Sequence, residues 1–418
     1  VTDIVPLRKN ARFQLLWVGS AVSELGSELT RLAMPLLVLA LTGSPGLAGV
    51  VAGARTVASL AIQIPAGVWV DRWDRRRTLI TAQGLQAVVS ALLTALVITG
   101  HVQVWQFVTL AVLDGLCAAF VGPVQDIAIR GIVPPGQLHT AYAQEEARTH
   151  AAGLIGPPLG GLLYGLGRAV PFVVDTVTFL AATLFYALAK VPRRPADEPR
   201  TSARDVGEER RGMRREAADA VAWLWRRHGL REATAGVMVL NLLGGAFLIP
   251  LIVLVGERGG DARVTGTVLA GLGIGGLVGA LLSGRISRLL PPGRLLIAVL
   301  TVFGAALAAT ALPWGAWWPM VPLVFITLST PSLNVVLNVV IARMVPEAML
   351  GRMGAVLSMS GMALKPLGPV LGGAMAAALG GAAALVVLGG LLGLTAAVAA
   401  LSPQLRRFTG EASAAGVP

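Results

Sequence analysis

The sequence predicts an all-α integral membrane protein with twelve transmembrane helices in two pseudo-symmetric halves of six. Three observations carry that prediction: the composition, the spacing of apolar stretches, and the placement of basic residues between them. Of 418 residues, 55% are apolar and 13% charged, against about a quarter charged in ordinary soluble domains. No water-soluble fold could bury that much apolar surface. Fifty-one glycines and Ala-rich runs such as AMAAALGGAAALVV would weaken helices in water, whereas in lipid small residues let helices approach closely.

A membrane-crossing helix needs ~20 mostly apolar residues. Twelve stretches qualify: 13–41, 46–70, 78–99, 104–127, 141–165, 169–189, 234–255, 265–287, 295–312, 318–341, 353–379 and 381–401. The first lacks a small-residue cleavage site after a short apolar core, so it reads as a retained helix and not a signal peptide. With the N-terminus set in the cytoplasm, twenty-seven of the 34 Lys and Arg fall inside, only Arg168, Arg258 and Arg263 outside, and Arg31, Arg55, Arg148 and Lys365 within the helices. By the positive-inside rule both termini are then cytoplasmic. Tryptophan prefers the headgroup level; Trp17, Trp69 and Trp73 mark the inner boundary, and Trp105, Trp314, Trp317 and Trp318 the outer one.

The Arg-, Pro- and acid-rich stretch after Lys190 divides the spans six and six. The expected layout is an N-terminal half at 1–190, a cytoplasmic linker at 191–232, a C-terminal half at 233–401 and a cytoplasmic tail at 402–418. Within the linker, Ala218, Val221, Ala222 and Trp225 share one face of an amphipathic helix expected to lie along the inner membrane surface. GPPLGG at 156–161 returns as GPVLGG at 368–373, displaced by 212 residues, and Val133-Pro134 and Leu138 recur as Val345-Pro346 and Leu350 at the same displacement. Two homologous halves explain this, as in transporters built from parallel repeats.

Several function classes are excluded. The net charge of +12 is dispersed between apolar segments, not gathered on one face as nucleic-acid binding requires. Cys117 is the single cysteine and none of the four histidines pairs at ligand spacing, so no metal site is expected. No GxxxxGK[ST] loop is present to bind nucleotide, and no catalytic constellation points to an enzyme. An ion gradient is left as the energy source, with no cofactor.

Ionisable residues inside the membrane are functional candidates because burying them is costly. Glu24, Glu28 and Arg31 lie at i, i+4 and i+7 on one stripe of the first span. Desolvation raises a carboxyl pKa and a nearby arginine lowers it, so such a group can exchange a proton; equally, Glu28 and Arg31 can form a fixed pair. Asp114 in the fourth span is a further proton-coupling candidate. Asp175 in the sixth reads as structural, and Glu145, Glu146, Arg148 and His150 as an interfacial cluster. Lys365, beside Pro366, lies deep enough in the eleventh span to need a partner. Asn241, Asn334 and Asn338 offer hydrogen bonds either to a cavity or between helices.

The loop GVWVDRWDRRR follows the second span, and its Gly67, Asp71, Arg72, Arg75 and Arg76 match the Gly-x-x-x-Asp-Arg-x-x-Arg-Arg loop signature of the major facilitator superfamily. The chain resembles that superfamily over nearly its whole length. With Asp74 in place of the usual glycine, it looks like the drug/proton antiporter branch that holds macrolide-efflux and enterobactin-export proteins. The resemblance implies the major facilitator fold, a cytoplasmic latch at 67–77, and a cavity lined by the first, fourth, seventh and tenth helices. Gly153, Gly156, Pro157, Gly160 and Gly161 give GxxGPxxGG in the fifth span, which matches the superfamily's antiporter motif; close helix packing is its plainer reading. The relatives' fourth-helix arginine is missing here, where the sequence reads TLAVLDGLCAAF. The resemblance implies a monomeric multi-pass protein of the bacterial inner membrane that exports an amphiphilic drug, antibiotic or secondary metabolite by proton antiport. Siderophore export and lysophospholipid flipping are the alternatives of the same fold, and membrane lipids the surrounding partners.

Overall fold

A computed structural model of the chain describes residues 6–70, 73–100, 103–189, 225, 228–334, 336, 362–406 and 408. Among them the structure is helical, with no strand. Six helices, α1 (Ala11–Thr42), α2 (Pro45–Val70), α3 (Arg75–Thr99), α4 (Val104–Ile132), α5 (Leu138–Leu166) and α6 (Val170–Leu188), take up the first six expected spans. The seventh span is broken at Phe247 into α7 (His228–Ala246) and α8 (Leu248–Glu257). Then follow α9 (Ala262–Leu289), α10 (Pro292–Thr310), α11 (Met320–Leu328), α12 (Leu367–Leu401) and the short α13 (Pro403–Arg406). Helix α12 merges the last two expected spans across Gly380, whose φ of 78° and ψ of 175° turn the chain between them; the freedom of glycine makes that turn possible. The twelve expected spans are consistent with these helices.

Ends are set by local chemistry. The Asn10 side chain accepts from the Phe13 amide to start α1, and Asp74 accepts from the Arg77 amide at 2.9 Å to start α3. Such caps satisfy backbone N–H groups that have no intrahelical partner. Glycines in the left-handed conformation end α1 at Gly43 and α3 at Gly100.

The chain forms two compact units: Val1–Pro199 with Val255–Gly273, and Arg200–Leu254 with Ile274–Pro418. In the first, α2 packs on α4, α1 and α3 on α6, and α5 on α1. Small residues make these approaches possible. A methyl on Gly115 would meet the Arg55 carbonyl; one on Gly156 would meet the Glu28 side chain, and one on Gly160 the Leu29 carbonyl at 2.8 Å. The second copy of the motif does the same in the second unit, where Gly368 and Gly372 of α12 lie against the Leu242 and Ala246 carbonyls of α7. The sequence repeat is therefore also a repeat of packing.

Ala218, Val221 and Ala222 of the linker helix, the repeat residues Val345, Pro346 and Leu350, and the first part of the eleventh expected span lie outside the described residues, as do Asp71, Arg72 and Asn338.

Candidate functional site

A cavity of about 230 Å³ opens within the first unit. Helix α1 supplies one wall: Ser20, Ser23, Glu24, Ser27, Glu28 and Arg31 all line it, on one face of the helix as their spacing requires. Facing them are Arg55 of α2, Gln86 of α3, Ala118, Val121, Gly122 and Gln125 of α4, and Arg148 of α5.

The charged groups are paired. Arg148 Nε donates to Glu24 Oε2 at 3.0 Å, and its Nη1 faces Glu145 Oε2 at 2.8 Å. The Thr149 hydroxyl adds a second donor to Glu24 Oε2 at 3.2 Å. Arg31 Nη2 reaches Glu28 Oε1 at 2.5 Å. Arg55 Nε reaches Asp114 Oδ2 at 2.5 Å, and Gln86 Nε2 donates to Asp114 Oδ1 at 2.9 Å. Three arginines thus face four carboxylates in these pairs. A buried charge is tolerable only when paired and hydrogen-bonded, and one proton added to this set would balance it.

Beside the ion pairs, Gln125 Nε2 donates to the Ser20 hydroxyl at 2.9 Å and to the Tyr186 hydroxyl at 2.8 Å. Helix α3 contributes a polar stripe at i, i+3 and i+7: Gln83, Gln86 and Ser90, all buried, bond respectively to Ser23 of α1, Asp114 of α4 and Asp175 of α6. In the loop motif, Arg76 Nη2 donates to the Ala187 carbonyl at 2.6 Å, tying the start of α3 to the end of α6.

Residues 16–328 match the family model described as Major Facilitator Superfamily. The chain belongs to the Major Facilitator Superfamily. It is therefore a multi-pass membrane transporter and not an enzyme, and transport in this superfamily needs no cofactor. The transporter is 25% identical over 416 residues to the multidrug efflux pump Tap of Mycolicibacterium fortuitum, covering 96% of this chain and 98% of that one. It is 25% identical over 186 residues to macrolide efflux protein A of Streptococcus pyogenes, covering 44% of this chain and 45% of that one. The fold is similar to that of a bacterial homologue of the human lysosomal transporter Spinster, in an inward-facing, occupied conformation. The TM-score is 0.75 at 14% identity, over 98% of this chain and 100% of that one.

Within this superfamily transporter, the predicted stripe of Glu24, Glu28 and Arg31 faces one cavity. Asp114 does not line it directly; it stands behind Arg55, which does. The fourth helix has no arginine of its own at this point; Gly115 lets α2 come close enough to set Arg55 against Asp114. Arg148 departs from the interfacial reading: with its side chain 9% exposed, it turns inward between Glu24 and Glu145. Glu146 and His150 of that cluster pair on the exposed side, at 3.1 Å. Of the GxxGPxxGG residues, Gly156 and Gly160 seat α5 on α1. Gly161 and Pro157 meet Ala262 and Gly266 at the start of α9, while Gly153 borders open space. Gly67 lies in the last turn of α2, Arg75 and Arg76 open α3, and Asn334 is exposed. Asn241 sits half-buried in α7, and Lys365 is exposed just ahead of α12.

Sequence reasoning misses Gln86, Gln125 and Arg148 as cavity residues. For α3 the signal that could find them is a row of polar residues at helical spacing in an otherwise apolar helix.

Proposed function

We propose that the transporter exports an amphiphilic, drug-like compound from the bacterial cytoplasm across the inner membrane, by proton antiport with alternating access. The observation that carries this reading is the cavity lined by Glu24 and Glu28, each of them paired directly with an arginine. The names of its relatives, a multidrug and a macrolide efflux pump, support export.

In this scheme a proton from the outer side attaches to Glu24 and dissolves its bond to Arg148. Arg148 stays ion-paired with Glu145, so the step leaves no bare buried cation. Glu28 and the more exposed Arg31 form a second such pair, which a cationic or hydrogen-bonding substrate can open by competing for Glu28. A proton on Glu28 removes the charge that a cationic substrate would meet there, so proton and substrate exclude one another at that carboxylate, which is what antiport requires. The serines at 20, 23 and 27, with Gln125, offer hydrogen bonds to a neutral substrate.

The test uses purified protein in vesicles holding an internal pH reporter under an imposed proton gradient, with macrolides, tetracyclines, catecholate siderophores and lysophospholipids added in turn. Proton movement should accompany one soluble class and fall at least tenfold in Glu24→Gln or Glu28→Gln. Lipid translocation with no proton movement would replace the drug-export reading with the flippase.

A further inference from the structure

Asp175 lies outside the cavity, 4% exposed, where α6 meets α1 and α3. Its surroundings differ from those of the cavity carboxylates. Glu24, Glu28, Glu145 and Asp114 each face an arginine; among the described residues Asp175 faces none at ion-pair distance. Oδ2 accepts from the Ser90 hydroxyl at 3.2 Å. Oδ1 is buried, closes no hydrogen bond, and lies against Gly26, where a methyl would stand 2.6 Å from it.

The hydroxyls around Oδ1 decide its charge. Thr178 Oγ1 donates its one hydrogen to the Asp175 carbonyl at 2.7 Å. The Thr30 hydroxyl, with the Gly26 and Ser27 carbonyls at 3.4 and 3.2 Å, also stands beside this carboxyl. A hydroxyl has one hydrogen and two lone pairs, so Thr178, its hydrogen given to the Asp175 carbonyl, has only lone pairs left for the carboxyl it crowds at Gly26. An ionised carboxylate, which only accepts, gains nothing from that acceptor; a carboxylic acid has a hydrogen to give it. An unpaired buried carboxylate is also the costliest state available to the group, and protonation removes that cost. The neighbours named from α1 and α3 are uncharged: Gly26, Thr30 and Ser90. The charged groups within electrostatic reach are Asp114 and Arg55, closed on one another.

We propose that Asp175 is a proton-binding site of the transport cycle, held as the neutral acid in this structure and deprotonated when α1 draws away from α6 and admits water. The O–H bond breaks, the proton passes to that water, and the carboxylate left behind has Arg55 as its counter-ion. Arg55, which lines the cavity and pairs with Asp114, is the cation within electrostatic reach of Asp175. The role in the cycle rests on the proposed proton antiport; the protonation state does not.

Infrared difference spectroscopy on the reconstituted protein reads the two parts separately. At neutral pH, wild type minus Asp175→Asn should show the carbonyl stretch of a buried neutral carboxylic acid, retained in Glu24→Gln and Glu28→Gln. Ser90→Ala, which keeps the acid but removes the donor at Oδ2, should shift that band. Absence of the band from the difference spectrum, or its indifference to Ser90→Ala, would overturn the assignment. Asp175→Asn, which can mimic the acid's donor and acceptor, should keep substrate exchange without a pH gradient and lose at least tenfold in gradient-driven accumulation. Accumulation at the wild-type level would leave a neutral acid with no part in the cycle and overturn that half of the proposal, even if proton antiport itself holds.

Discussion

Arg55 and Asp114 show how a single pair can be both scaffold and signal. Helices α2 and α4 are joined by a close contact at Gly115 and by this ion pair, which Gln86 completes from α3. Removing one partner strands the other. Arg55→Met should destabilise the protein by about 1–3 kcal/mol, below the 3–5 typical of a dry buried pair, because the 42% exposed Arg55 side chain opens on the cavity. Adding Asp114→Asn should recover part of that loss. Thermal unfolding in detergent micelles measures both, and strictly additive losses would count against the pair. The sequence marks Asp114 as ionisable within a span but cannot name its partner, since 59 residues separate it from Arg55.

At the level of the helix, the glycines of α5 divide by what they touch. Gly156 lies on Glu28, Gly160 on Leu29, and Gly161 on Ala262 and Gly266, whereas a methyl added at Gly153 would find nothing within 4 Å. Gly153→Ala should therefore be neutral or slightly stabilising, because alanine is the better helix former. Gly156→Ala and Gly161→Ala should each cost about 1–3 kcal/mol, as overpacking does; Gly156→Ala should also displace Glu28 and weaken transport. Equal effects at the three positions, measured by unfolding and by substrate accumulation, would contradict this division. The pattern GxxGPxxGG is visible in the sequence, but its four glycines look alike there. Which of them is tight depends on how α5 is rotated, and rotation is fixed by neighbours that lie far away along the chain.

For the protein as a body in the membrane, the orientation inferred from basic residues is open to a direct check. Cys117 is the only cysteine, so Cys117→Ser gives a background free of other thiols. In it, Arg168→Cys should react with a membrane-impermeant maleimide on intact cells, and Arg75→Cys only after permeabilisation. The opposite pattern would invert the topology. The repeat at 212 residues has a structural meaning here: in each unit the motif-bearing helix seats its glycines on a neighbouring helix, α5 on α1 and α12 on α7.

Sequence alone was enough for the solvent and the thread: the helical spans, their approximate ends where the residues are described, the repeat, and the stripe Glu24–Glu28–Arg31. These follow from local rules, because a helix in lipid must satisfy its own backbone and show apolar side chains outward. Even the break at Gly380 falls where two expected spans meet. The pairings came from tertiary packing instead. Arg148 could be assigned to the membrane surface from sequence, yet it turns inward because Glu24 and Glu145 meet it there. Asp175 reads as structural from sequence; the packing of α6 on α1 and α3 adds that it is buried with Oδ1 closing no hydrogen bond. A charge inside a membrane is defined by the groups that compensate it, and those groups come from other helices, brought into contact only when the bundle closes.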